Sequence, residues 1–136
     1  MVERLIEFLS ECPVLEGRAI NCGYLGDDAG SCSVEMGARV YEAKRYSDGA
    51  RLMKRQFVLA LREIYSQDVQ TNLTAAGVCT EVERWIEEMN RAGKLPNLSG
   101  FGTAKAISVA QGFRLMSTES LDARYEAELE LEWYEE

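Results

Sequence analysis

A chain of 136 residues, 46% hydrophobic and 28% charged, is the size of one domain with one core, and the expectation is a single domain over residues 1–136. The absence of histidine removes Ser-His-Asp and Cys-His nucleophile systems and any imidazole proton shuttle near neutral pH. Apolar runs fall well short of the roughly eighteen residues of a membrane span, and the N-terminus lacks a basic-then-apolar leader, so the chain is expected to act in the cytoplasm, off the membrane.

The net charge of −8 is unevenly placed. Residues 117–136 hold eight acids (Glu119, Asp122, Glu126, Glu128, Glu130, Glu132, Glu135, Glu136) against Arg124. Residues 39–62 run the other way, with Arg39, Lys44, Arg45, Arg51, Lys54, Arg55 and Arg62 against Glu42 and Asp48. Such polarity suits self-association, or stacking on a partner of opposite face, better than general nucleic-acid binding, which needs a basic domain. Two solvated strand faces are the plainer alternative.

Taken in chain order, Val2, Leu5, Ile6 and Leu9 are at helical spacing, and Pro13 stops this short amphipathic helix. Ala19 to Leu25 and Ser31 to Met36 are weakly alternating segments joined by GDDAG, which predicts a hairpin. Asp27 and Asp28 there are turn residues first and divalent-cation ligands only as an alternative. Ala38 to Tyr46 and Leu52 to Tyr65 flank the turn signal SDGA and predict a long hairpin, with Phe57, Leu59, Leu61 and Tyr65 on one face.

From Asp68 the period changes to 3.6, with Val69, Leu73 and Ala76, then Val82, Trp85, Ile86 and Met89 facing a core. Gly77 is a potential division, and Thr80 with Glu83 reads as a capping box for a second segment ending near Ala92-Gly93. LPNLSGFG is an irregular connector. SGFGTAK resembles a phosphate loop only superficially, because it lacks the Gly-Lys-Ser/Thr ending and precedes a strand. Ala104 to Met116 is the next strand, with Ile107, Val109, Phe113 and Leu115 on a shared face, and STESLD turns it into the last one.

That last strand, Ala123 to Glu136, alternates with period two. Tyr125, Ala127, Leu129, Leu131 and Trp133 point one way, and Glu126, Glu128, Glu130 and Glu132 the other. A helix would stack these glutamates at i,i+4 and scatter the apolar positions. Four unpaired carboxylates are too costly for a core, so the acidic face is exposed or lines a wet lumen. Cys12, Cys22, Cys32 and Cys79 lack CxxC spacing and secretory context, and are expected to be reduced, mostly buried thiols without metal. No cofactor is expected, and the chain reads as non-enzymatic.

Four segments in order, IEFLSECPVLEG, SVEMGARVYEAKRYSDGARLMKRQFVLALREIYSQDVQTNL, VERWIEEMNRAGKLPNL and ISVAQGFRLMSTESLDARYEAELELEWYE, resemble the minor capsid or tail-completion proteins of tailed phages and prophages. The most specific parts are Arg45-Tyr46 to Gly49 leading into Gln56-Phe57, the Trp85 helix ending in Gly93-Lys94-Leu95-Pro96, and Ala123-Arg124-Tyr125. The layout is also similar to the tail-terminator fold. It implies an α+β fold: an antiparallel sheet with long β-hairpins, an N-terminal helix, and a central helix packed on one face.

The resemblance implies a structural role in head-tail joining, as a homo-oligomeric ring, usually a hexamer, that meets the tail tube and head-connector proteins in the host cytoplasm and then in the virion neck. DNA would pass without specific binding. Glu126, Glu128, Glu130 and Glu132 are then candidates for the lumen or another acidic face, and Arg51, Lys54, Arg55, Trp133 and Tyr134 for the subunit interface. The alternative reading is an acidic binding module, a DNA-mimic inhibitor of a host DNA-binding protein.

Overall fold

A computed structural model describes residues 1–36, 41–66, 68–118 and 121–135. Ala38 and Arg39, where the third segment and the basic run were expected to begin, lie outside the described residues, as do Glu119, Ser120 and Glu136. The elements in chain order are α1 (Val2–Leu9), a 3-10 turn (Pro13–Leu15), β1 (Ile20–Cys22), β2 (Cys32–Met36), β3 (Tyr41–Arg45), β4 (Arg51–Ile64), α2 (Val69–Arg91), β5 (Thr103–Thr118) and β6 (Asp122–Glu135). The fold is α+β.

The strands form one mixed sheet in the order β1-β2-β4-β6-β5, with β3 pairing β4 beyond β2. Strand β4 is long enough to hold β3 along Arg51 to Lys54 and β2 along Phe57 to Leu61, while its other edge pairs with β6 from Arg51↔Glu135 to Ile64↔Asp122. The expected long hairpin is β3–β4. Its turn closes through Tyr46 N–H to Ala50 O at 2.8 Å and Ala50 N–H to Asp48 Oδ1 at 3.0 Å, with Gly49 at a φ of 92° that only glycine adopts without strain.

The expected hairpin between β1 and β2 is corrected. The two strands pair in parallel, Ile20↔Cys32 to Cys22↔Val34. Ser31 and Gly30 are tied to β4 instead: Arg62 N–H donates to Ser31 O at 2.9 Å, Gly30 N–H donates to Arg62 O, and Arg62 Nε–H reaches Gly26 O at 2.8 Å. These bonds fold residues 23–31 back before the chain enters β2, so β1 lies beside β2 in the same direction. Glycine and aspartate in this loop serve a longer return than a tight turn.

Both helices cover one face of the sheet. Leu5, Phe8 and Leu9 of α1 and Cys79, Val82 and Ile86 of α2 meet Cys32, Val34, Phe57, Leu59, Leu61, Ile107, Leu129 and Leu131 in a single core. Each fully buried Leu, Ile or Phe side chain there contributes roughly 2–3 kcal/mol of transfer free energy. Phe8 also stacks obliquely on Trp85, ring centroids 4.9 Å apart. Glu63 faces this core from β4 and is held by Arg18 Nη1 at 2.6 Å. Losing one member of such a buried pair costs about 3 kcal/mol or more.

Helix α2 is continuous, which corrects the capping box. Its N-cap is Asp68, whose Oδ1 accepts from Gln70 N–H at 3.1 Å. Thr80 Oγ1 instead bonds Ala76 O within the helix at 3.0 Å, and Glu83 Oε1 accepts from Phe113 N–H of β5. The helix ends as expected, at Ala92 with Gly93 at φ 73°. The inward stripe is shifted from the expected one, because small Ala75 and Cys79 allow close approach to the sheet, whereas Val69 and Leu73 face solvent. A Cβ at Gly77 would meet open space. Gly77→Ala is therefore expected to raise stability by about 0.5–1 kcal/mol, read as a higher urea midpoint at unchanged slope; a loss would mean that the helix is broken there.

Candidate functional site

Strand β6 lies between β4 and the edge strand β5, so its alternation presents one residue set to each face of the sheet. Ala123, Ala127, Leu129, Leu131 and Trp133 point into the core, and Tyr125 is partly covered. Glu126, Glu128, Glu130 and Glu132 point to the opposite face, where their cross-strand neighbours on β4 are Ala60, Val58, Gln56 and Lys54. On β5 the neighbours are Arg114, Gln111, Ser108 and Ala106.

The acidic ladder differs from a freely solvated one. The side chains of Glu132, Glu130 and Glu126 are only 18%, 19% and 22% exposed, because long strands crowd them from both sides. Lys54 Nζ reaches Glu132 at 2.8 Å and Glu130 at 3.6 Å. Arg124 Nη2 reaches Glu126 at 2.6 Å and Glu35 at 2.8 Å. Arg62 pairs with Asp122 at 2.9 Å on the same face. Glu128 lies between Val58 and Gln111, and among the described residues it makes no ion pair.

The residues expected at a subunit interface separate. Lys54 and Arg51 are already engaged within the chain, Arg51 with Glu135 and, at 3.8 Å, with Glu42. Arg55 lies on the helix-covered side with its guanidinium 5.4 Å from the Phe57 ring centroid. Trp133 is corrected from an interface anchor to a core residue, at 3% exposure; its inward phase on β6 puts it with Leu129 and Leu131. Tyr134, of opposite phase, stays on the surface with its ring 6.1 Å from Tyr46 and Lys105 Nζ 5.9 Å away.

Outside the sheet face, chemistry-bearing groups are dispersed. An open concavity of about 420 Å3 lies between the 3-10 turn and α2, lined by Cys12, Pro13, Val14 and Trp85, and its polar rim is occupied by the Glu81–Arg84 pair. Asp27 and Asp28 are exposed, and among the described residues no group of three or more Cys, Asp or Glu is placed to hold a metal ion. The SGFGTAK segment is a connector into β5, in which Gly102 at φ 155° passes against the carbonyl of Tyr134 where a Cβ would collide. Among the described residues no helix is long and apolar enough to cross a membrane.

Two features escaped sequence reading. Gly112 interrupts β5 where the Glu83 carboxylate comes so close that a Cβ would stand 2.7 Å from Oε1. A glycine inside a strand pattern is the available signal for such an approach. The Arg124–Glu35 pair joins residues 89 positions apart and leaves no local signal. No protein-family model matches the chain, and none of the curated proteins compared with it matches.

All four thiols are free, with Cys12, Cys32 and Cys79 buried and Cys22 exposed. Burial pushes the Cys32 and Cys79 thiols up to about 12 and raises Cys12 as well. At pH 8 an alkylating reagent should label Cys22 rapidly in the folded protein and the other three only on unfolding; rapid labelling of Cys79 by mass spectrometry would instead mark an activated thiol. Because the unfolded thiols ionise first, this burial favours the native state below about 9 and the contribution is lost as pH rises towards 12.

The hydrogen bond and charge of Glu132 raise the Lys54 ammonium above its ordinary 10.5. Its pairing is thus fully present below that value and disappears as pH rises through the higher folded-state one. Lys54→Gln should therefore lower the urea midpoint at pH 7, with the difference from the parent protein shrinking at high salt and as pH rises beyond 10.5; a difference independent of pH and salt would show that Lys54 acts through packing alone.

Proposed function

We propose that the chain is a structural, non-enzymatic component of a phage or prophage neck, which joins or terminates the tail at the head as a ring around the DNA channel. The observation that supports it most directly is the sheet face formed by β4, β6 and β5. Among the described residues no helix packs over it, and it spans three long strands and bears a row of carboxylates along the middle one. Turned towards a channel in every subunit, such a face keeps phosphates from adhering, since it offers no surplus of cations whose binding would release counterions. Lys54, Arg62 and Arg124 moderate its charge, so repulsion acts within about a Debye length, roughly 8 Å, of the wall.

The segments that carry the resemblance occupy the β3–β4 turn, the end of α2 and the start of β6, which together frame that sheet. In this reading the protein assembles in the bacterial host cytoplasm and resides in the virion neck, with tail-tube and head-connector proteins as partners. The DNA-mimic alternative needs carboxylates free to replace phosphates over a broad surface. The pairing of Glu126, Glu130 and Glu132 with cations of the same chain weighs against it.

Light scattering of the purified protein, alone and mixed with tail tubes of the same phage, tests the proposal. A ring, or binding confined to tube ends, is the expected result. A monomer that leaves tubes untouched and instead binds a DNA-processing enzyme in competition with duplex DNA would replace this reading with the mimic one.

A further inference from the structure

The uncovered face is not uniform along its length. Its middle holds the glutamate row with the cations that pair there, Lys54, Arg62 and Arg124. The end near the β3–β4 turn carries a different set. Lys44 of β3 and Tyr134 of β6 stand on either side of Leu52 of β4. Tyr46, at the start of the turn, lies between them: Lys44 Nζ is 5.0 Å from its ring centroid, and that centroid is 6.1 Å from the one of Tyr134. Lys105, exposed at the first register shift of β5, brings its Nζ to 5.9 Å from the Tyr134 ring. Two lysines and two tyrosines thus form a row across the strand ends.

The polar groups of this row are unspent. Among the described residues the two ammonium groups contact aromatic rings and no carboxylate, and neither phenol hydroxyl has a hydrogen-bond partner. Lysine and tyrosine both bind phosphate oxygens, one by charge and the other by O–H donation. From β3 to β5 the row crosses three strand spacings, roughly 14 Å, close to the roughly 12 Å width of the major groove of duplex DNA. The ammonium groups therefore stand at about the spacing of phosphates on the two sides of that groove. Each ring already has an ammonium beside it, which leaves less of its face for the base stacking that single strands use.

We propose that the row of Lys44, Tyr46, Tyr134 and Lys105 is a sequence-independent contact for the phosphate backbone of duplex DNA. This rests on the neck reading, in which the uncovered face looks onto a DNA channel, and it makes that wall graded. One end holds the duplex lightly, through two cations whose binding releases counterions. The glutamate row beyond it offers no such surplus, so the contact stays weak and confined to the end.

The test titrates a short duplex of mixed sequence into the full-length protein at low ionic strength and follows it by NMR. The amide signals of Lys44, Tyr46, Lys105 and Tyr134 are expected to shift saturably, and the Trp85 indole signal to stay. The logarithm of the affinity should fall against that of the salt concentration with a slope of about −2, one unit for each lysine. Lys44→Glu together with Lys105→Glu should weaken binding about tenfold or more, whereas Lys94→Glu, at an exposed lysine after α2, should leave it unchanged. Shifts scattered over the surface, or an equal loss with Lys94→Glu, overturn the row as a DNA contact. If the parent protein ignores the duplex and the double variant loses tube-end binding, the row contacts protein and the DNA assignment fails. A parent protein that forms rings or caps tubes yet ignores the duplex also overturns the contact, and leaves the neck reading intact. Duplex bound at the row by a chain that never joins tubes upholds the contact and removes the neck reading.

Discussion

Strand β6 is paired on both sides, to β4 from Asp122 to Glu135 and to β5 from Ala123 to Tyr134, so most of its residues are fixed in phase by two neighbours at once. A slip of one residue would carry Leu129, Leu131 and Trp133 to the uncovered face and four glutamates into the core. The transfer penalty of those glutamates alone is many times the few kcal/mol by which a domain of this size is stable. The alternation of β6 therefore selects the register of β4 and β5, and with it the side on which both helices must pack. The cations follow the same phase: Lys54 and Arg124 fall on the glutamate side because they are even-numbered partners in this ladder, and the pairing they provide reinforces the register that places them.

The edge strand β5 meets a different constraint. Its register with β6 shifts four times, between Ala104 and Ala106, Val109 and Gln111, Gln111 and Arg114, and Leu115 and Ser117. Shifts of this kind leave backbone donors without a strand partner. Helix α2 supplies two acceptors, Asn90 Oδ1 for Ile107 N–H at 3.0 Å and Glu83 Oε1 for Phe113 N–H. Glu83 and Asn90 are seven apart on one helix face, and Gly112 provides the space for the carboxylate. The helix thus shields part of an edge that would otherwise template a foreign strand, and beyond Phe113, where this shielding ends, apolar side chains emerge at the surface.

What was legible in the amino-acid order follows from the range of each interaction. The β6 alternation, the β3–β4 turn and the end of α2 at Gly93 depend on residues within a few positions of one another, and each was readable. The direction of β1 was not, because GDDAG is compatible with a tight turn or a longer return, and hydrogen bonds to Arg62, more than thirty residues away, decide between them. The inward stripe of α2 was displaced for a packing reason: Ala75 and Cys79 carry little hydrophobic signal but allow the backbone close to the sheet, while Val69 and Leu73 carry more and face water. For the site, the ladder's position and phase were readable. Its half-buried state and its pairing with Lys54, Arg124 and Glu35 depended on a strand order that local patterns do not encode.

The placement of charge narrows what the uncovered face can do. A carboxylate row confined to one edge would be screened by water and mobile counterions and would act as a generic acidic surface. Here the row occupies the middle one of three long strands, flanked by Ala106, Ser108, Gln111 and Arg114 on one side and by Lys54, Gln56, Val58 and Ala60 on the other. Its cations come from the same strands, so they are held at fixed positions rather than recruited from solution. The resulting face has most of its acids paired with cations of the same chain and keeps a moderate negative excess. Under the proposed neck role, such a surface serves as a wall past which a polyanion moves and not as a site that captures one, because capture requires either a surplus of cations or carboxylates left free for a basic partner, and the pairing removes much of both.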